Sequence, residues 1–291
     1  MNRTSAVAVL LPAADARGVD ELREYVERFS GMDAVSTVWL RDLPAVRPGH
    51  PDQGPGLDPF VLATSVMSAI RHLRNLGIAV SPAGARHYAA LARTVTSICD
   101  ITGMPFRLGV GAGEPSSPWT LPSTDTRSRS TALVEYVESL CDLVDGVTEA
   151  DLELSRPFKA DSVPRVWIAT SDVRAVEQLS PRLEGWMTWQ SRPESIRETV
   201  RTVRTWEAQP RLAVTVNVWF DVDAVRPEHV TAPVQALRGK PADVAAYVNA
   251  HLEFGVDEVI INPCSPAPGD GSQLSLLHDC LTFLDAKPRM N

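Results

Sequence analysis

The chain has 291 residues, 44% of them hydrophobic, with 28 Lys and Arg against 36 Asp and Glu and a formal net charge of −8. Counting glycine, about half of the chain is apolar, the ordinary globular range, which excludes a disordered or fibrous protein. The charges are spread along the chain, so no basic field exists to neutralise a nucleic-acid backbone, and DNA or RNA binding is excluded on that ground.

Cys99, Cys141, Cys264 and Cys280 contain no CxxC pair and read as reduced thiols of a cytoplasmic protein. The early apolar run from Ala6 to Ala14 is too short to span a membrane, and Asp15, Arg17, Asp20 and Glu21 follow it without a cleavage context. A soluble, cytoplasmic protein with no membrane association is expected.

Short apolar runs alternate with longer stretches of helical period, the pattern of βα units around a parallel sheet. Ala6 to Leu11 reads as a strand, and Asp20 to Phe29 as a helix with Leu22, Val26 and Phe29 on one face and Gly31 as its stop. Val35 to Leu40 is the second strand. After a Pro- and Gly-rich loop its helix opens on Asp58-Pro59, an N-cap followed by proline at the first position. Leu73 to Val80 is the third strand, and Tyr88, Leu91, Ala92, Val95 and Cys99 mark a helix ending near Gly103.

Phe106 to Val110 is the fourth strand, and the helix carrying Leu133, Val137, Leu140 and Val144 follows. Arg165 to Thr170 leads almost directly into a short helix with Val173, Val176 and Leu179. Gly185 to Trp189 is the sixth strand, and Ser191-x-x-Glu194 reads as a capping box before the next helix. Leu212 to Val222, a helix from Pro241 to Phe254, Val256 to Asn262 and a helix from Ser272 to Leu284 complete the series. Eight strands, each with a helix after it, predict a single α/β domain over residues 1–291, a (β/α)8 TIM barrel with loop insertions at its C-terminal face.

Catalytic groups of such a barrel sit at the C-terminal ends of the strands. Arg41-Asp42 follows the second strand, either as a rim ion pair or as a pair facing the mouth. Arg86-His87 opens the third helix, where the histidine either caps the helix or moves a proton. Gly109-Val-Gly-Ala-Gly113 lacks the spacing of a dinucleotide fingerprint and comes fourth, so it reads as a strand whose missing side chains let a flat ring approach. Thr170-Ser171-Asp172 is either a phosphate-binding turn or an ordinary N-cap. Trp186, Trp189 and Trp219 either wall a pocket or fill the core. The six histidines show no HxH or HxxxH spacing, so no metal site is expected, and neither a Gly-x-Ser-x-Gly elbow nor a Gly-Lys-Ser/Thr loop is present.

Five stretches in this order resemble the luciferase-like monooxygenase family of flavin- or deazaflavin-dependent barrels. They are Val38-Trp-Leu-Arg-Asp-Leu-Pro44 with Leu57-Asp-Pro-Phe60, Leu76-Gly-Ile-Ala-Val-Ser-Pro82 running into Arg86-His87, Arg107-Leu-Gly-Val-Gly-Ala-Gly113, Glu184-Gly-Trp186, and Phe254-Gly-Val-Asp-Glu-Val-Ile260. The resemblance implies a flavin ring over the barrel mouth, bounded by Asp42, Ala79, Ser81 and Gly111. Its phosphate would lie by Thr170, Ser171, Asp172 and the N–H of Val173, with Arg129 where the family often has a phosphate-contacting Tyr. Arg41, Asp42 and His87 would be the catalytic side chains.

The implied reaction is oxygenation of a small organic substrate with reduced FMN, supplied by a separate flavin reductase, in an enzyme that can be a homodimer. The alternatives are hydride transfer with a deazaflavin coenzyme, or a barrel that has lost flavin and acts as a binding protein. Two departures bear on these. Leu43-Pro44 stands where many members have a histidine, which counts against the deazaflavin branch. Gly113-Glu-Pro-Ser116 stands where a related subgroup carries an arginine, leaving Arg127 or Arg129 to replace it.

Overall fold

The structure is a computed structural model that describes residues 6–11, 18–43, 57–69, 75–114, 121, 128–146, 163–189, 192–230, 235–264 and 272–285. β1 (Ala6–Leu10) lies between β2 (Val35–Leu40) and β10 (Glu258–Pro263), with Val7 opposite both Val35 and Val259. β3 (Leu76–Pro82), β4 (Phe106–Gly111), β5 (Arg165–Ala169), β6 (Gly185–Thr188) and β7 (Arg211–Phe220) continue the sheet in parallel. β7 then pairs with β10 from Ala213–Glu258 to Val218–Pro263, which closes an eight-stranded parallel barrel.

Around it run α1 (Val19–Ser30), α2 (Pro59–Ala69), α3 (Tyr88–Thr102), α4 (Arg129–Val144), α5 (Val173–Leu179), α6 (Pro193–Thr205), α7 (Pro241–Glu253) and α8 (Ser272–Asp285). Period-2 alternation divides each strand between two cores. Val7, Val9, Val38, Val166 and Val214 join the layer under the helices, whereas Ala8, Leu10, Trp39, Trp167, Met187, Ala213 and Ile260 fill the barrel interior. Leu62 and Val66 of α2 are buried in the layer between helix and strand and belong to the barrel wall. No described helix is long and apolar enough to cross a membrane.

The lower end of the barrel is closed by a buried charge cluster. Arg107 is 4% exposed and donates to Glu258 at 3.0 Å, to Glu184 at 3.3 Å and to Thr37. Trp39 and Trp167 donate their indole N–H groups to Glu258 (3.0 Å) and Glu184 (2.6 Å), tying the aromatic floor to the ion cluster. Two glycines make room for it. A Cβ at Gly77 would collide with the Arg107 backbone and the Trp39 ring, and one at Gly185 with the Trp167 ring.

Four sequence expectations change. β3 starts at Leu76, not Leu73, and runs on to Pro82, because pairing with β4 resumes at Ser81–Val110 after a bulge that contains the cis Ala79–Val80 peptide. The N-cap of α6 is Arg192, followed by Pro193, so the expected Ser191 cap is displaced by one residue; Ser191 itself lies outside the described residues. β7 ends at Phe220, short of Val222. Between that strand and its helix, where no further element was expected, lies a hairpin of β8 (Glu228–Val230) and β9 (Ala236–Gly239). Val218 pairs with Pro263 on one edge and Leu237 on the other, so β9 extends the edge that β6 leaves at Val214.

Candidate active site

Asp42 follows the C-terminal end of β2 and is 1% exposed. Its Oδ2 accepts from Ser81 Oγ at 2.6 Å and from Arg86 Nε at 3.3 Å, while its Oδ1 is buried with no hydrogen-bond partner among the described residues. A buried polar oxygen is costly to leave in that state, so Oδ1 is an acceptor open to a donor. The partner of Asp42 is Arg86 rather than the neighbouring Arg41, which lies two residues beyond Trp39 and is half-buried.

Arg86 also reaches Asp58 Oδ2 at 2.7 Å, and Asp58 Oδ1 caps α2 by accepting from Phe60 N (2.9 Å) and Val61 N (3.3 Å). The predicted Asp58 cap is therefore present and carries a second function, joining the start of α2 to the mouth. Burial opposes the charge on both groups, but the Arg86–Asp58 bond and the facing charges outweigh it. They hold Asp58 below the usual carboxylate range and Arg86 above the usual guanidinium range. The Arg86 guanidinium stacks 4.7 Å above the Phe60 ring, and Tyr136 Oη donates to the Arg86 carbonyl at 2.9 Å.

Above the sealed interior the strand ends open. Ala79, Ala169, Thr215, Asn217 and Trp219 are half-buried, whereas Ala213 and Ile260 below them are fully buried. On the β7–β10 side Asn262 Nδ2 donates to Asn217 Oδ1 at 2.6 Å, and Asn217 Nδ2 donates to the Gln235 carbonyl at 3.0 Å. Asn262 Oδ1 is buried without a hydrogen-bond partner among the described residues, a second unanswered acceptor. The large apolar residues Leu43, Leu57, Val173, Trp189, Val222 and Val225 are exposed, and all follow C-terminal strand ends. An apolar rim above a few convergent polar groups is the composition of a small-molecule site.

The tryptophans divide. Trp186 is core, 2% exposed, beside Trp206 and donating to the Thr170 carbonyl at 2.8 Å. Trp189 is 69% exposed at the rim, and Trp219 stands under the Arg238 guanidinium. The glycines of β4 leave less room than expected. A Cβ at Gly109 would lie 2.7 Å from the Ile78 carbonyl, and one at Gly111 would lie 3.2 Å from Val80 Cγ2 and 3.4 Å from the Ala169 carbonyl. Their missing side chains leave room for the β3 bulge.

His87, expected as a proton donor, is the N-cap of α3; its Nδ1 accepts from Ala89 N at 3.3 Å and its exposed ring packs on Tyr88. The turn after β5 is an N-cap too. Asp172 Oδ1 accepts from Arg174 N (3.0 Å) and Ala175 N (3.4 Å), its Oδ2 takes the Ser130 hydroxyl, and Thr170 Oγ1 accepts from Asp172 N at 3.1 Å. Ser171 is exposed. Arg129 donates to the Ala112 carbonyl at 3.2 Å and to that of Gly113, so it braces the end of β4. Arg127 lies outside the described residues.

Sequence reasoning passed over Arg86 in favour of its neighbour His87, and passed over Asn217 and Asn262. The signal for Asn262 was a polar residue ending the apolar run Val259-Ile-Ile261, the position where barrel strands present functional groups.

A family model described as luciferase-like monooxygenase matches residues 18–253. Among solved structures, the fold is similar to an F420-dependent secondary alcohol dehydrogenase in complex with an F420–acetone adduct, at 13% identity and TM-score 0.68, covering 97% of this chain and 99% of that one. It is also similar to the EDTA monooxygenase EmoA from Chelativorans sp. BNC1, at 12% identity and TM-score 0.68, covering 99% and 96%. A third likeness is to the monooxygenase RslO1 from Streptomyces bottropensis, at 15% identity and TM-score 0.66, covering 95% and 98%. No match was found among curated proteins.

Proposed function

The chain belongs to the luciferase-like monooxygenase family, and on that premise we propose that it is a flavin-dependent monooxygenase acting on a small, largely apolar organic substrate at the barrel mouth. The observation that carries this reading is the buried, unanswered Asp42 Oδ1 beside an apolar rim. When bound, a reduced flavin supplies two electrons to dioxygen, so that one oxygen atom enters the substrate and the other leaves as water. A separate flavin reductase provides the reduced flavin.

Asp42 Oδ1 accepts an N–H of the ring edge. Ser81 and Arg86 fix the other carboxylate oxygen, so the acceptor is oriented before the ligand arrives. Asn262 Oδ1, two strands from Asp42 around the barrel, accepts a hydroxyl or N–H of the substrate and is held in place by Asn217. Leu43, Leu57, Trp189 and Val222 cover the apolar part of the ligand and exclude water. Leu43 in place of an acid/base side chain after Asp42 favours oxygenation over hydride transfer.

The test is an anaerobic titration with reduced flavin and, separately, with reduced deazaflavin coenzyme, followed by mixing with oxygen in a stopped-flow absorbance experiment. Micromolar flavin binding and an oxygen-dependent flavin transient support the proposal, and Asp42→Ala should weaken binding about tenfold or more. Binding of the deazaflavin alone assigns hydride transfer instead. Binding of neither ends the redox reading.

A further inference from the structure

We propose that this protein recognises its flavin without anchoring a phosphate, so that riboflavin, or the riboflavin portion of a larger flavin, is the ligand its residues fit. This rests on the flavin reading above and specifies the form of the cofactor.

The turn after β5, where the family resemblance places the phosphate, is already filled by the chain's own anion. Asp172 occupies the Arg174 and Ala175 N–H groups with one carboxylate oxygen and the Ser130 hydroxyl with the other. The Ser130 bond, followed by the backbone N–H groups, overcomes the effect of burial and holds Asp172 below the usual carboxylate range, so it is charged at neutral pH. α5 has only seven residues and its dipole is correspondingly short.

Among the described residues the neighbouring groups do not reverse the sign. A groove of about 320 Å³ beside the turn is lined by Glu135, Glu138 and Asp172 against the single guanidinium of Arg174. Of the two arginines expected to replace the missing phosphate ligand, Arg129 donates to the Ala112 and Gly113 carbonyls, and Arg127 lies outside the described residues. A phosphate arriving here meets the charge of Asp172 and finds the Arg174 and Ala175 N–H groups and the Ser130 hydroxyl already bonded to it, whereas the terminal ribityl hydroxyl of riboflavin carries no charge to be repelled.

The experiment titrates the full chain anaerobically with reduced riboflavin and reduced FMN, as wild type and as Asp172→Asn. Asparagine is as good an N-cap as aspartate, so the turn is kept while its charge is removed. The wild type should bind riboflavin at least as tightly as FMN. Asp172→Asn should shift the ratio of the two affinities toward FMN by about tenfold, because the repelling charge is removed. FMN binding about tenfold tighter than riboflavin in the wild type overturns the inference and leaves the flavin reading standing. An unmoved ratio in the variant overturns the role of Asp172. Binding of neither flavin overturns the flavin reading itself, and this inference with it.

Discussion

Ser81 Oγ lies 2.6 Å from Asp42 Oδ2 across 39 residues of sequence, and both side chains are buried to within 1% of complete. The bond joins the ends of β2 and β3 at the barrel mouth and leaves the second Asp42 oxygen as an oriented acceptor.

Arg86 gives that carboxylate its counter-charge. Arg86→Met should destabilise the protein by about 2–3 kcal/mol in urea unfolding, somewhat less than a fully buried pair because the arginine is partly exposed. It should also weaken flavin binding, since Asp42 and the start of α2 both lose a shared anchor. Unchanged flavin affinity in a folded Arg86→Met protein would separate the ion pair from the site.

At the barrel floor the arginine is almost wholly enclosed. Arg107→Leu removes the buried cation between Glu258 and Glu184, leaving Arg211 at 3.8 Å from Glu258 and Arg165 at 3.1 Å from Glu184, and should cost about 3 kcal/mol by denaturant unfolding. The double variant Arg107→Leu, Glu258→Gln should cost less than the sum of its single changes, because the groups share one network. Additive losses would show that the cluster is not coupled.

Gly185→Ala places a methyl group inside the Trp167 ring, which is itself held by Glu184, and should cost more than about 3 kcal/mol in unfolding free energy. Gly103→Ala has open space around its Cβ and pays only for the left-handed backbone at φ 67°, about 1 kcal/mol. Comparable melting-temperature losses for the two would contradict the packing assigned to the floor.

Asp172 contributes to acid stability. Its folded-state carboxyl is held below the ordinary value by the Ser130 hydroxyl and the helix N–H groups, so its stabilisation is complete above about pH 4 and is lost as pH falls through the lowered value. Asp172→Ala should therefore cost about 1 kcal/mol at pH 7, and the gap to wild type should narrow as pH falls through the lowered value in a series of urea curves. A gap that widens toward acid would reverse the sign assigned here.

Burial pushes the Cys99 thiol up to about 11 and the Cys141 and Cys280 thiols up to about 12. At pH 8 these three should give no rapid phase with a disulfide reagent in the native protein, and should react at ordinary rates in urea. A fast native phase assigned to any of them by mass spectrometry would mean that its helix opens readily.

Strand order, helix faces and caps were legible because their causes are local. The apolar run Val35–Leu40, the Leu22–Val26–Phe29 stripe and Asp58 before Pro59 each declare themselves within a few residues. Three features did not. The β8–β9 hairpin is made of strands too short to show a period, and it exists because β7 outruns β6 and exposes an edge. Ser81 and Pro82 belong to β3 only through their register with β4 beyond the bulge. Arg86 and His87 are adjacent and equally polar, and which one faces the site depended on where Asp42 and Asp58 lay.

The sequence by itself determined the eight βα units, their order and hence the closed barrel, along with its family, because alternation and capping are encoded in neighbouring residues. Only the tertiary structure decided which charges meet. Arg107 and Glu258 are 151 residues apart, Asp42 and Arg86 are 44 apart, and such pairs form through barrel closure, whose register no local pattern carries. The same closure chose between the two readings of the turn after β5, by bringing Ser130 from α4 to the second oxygen of Asp172 and filling with the protein's own carboxylate the place where a phosphate was expected.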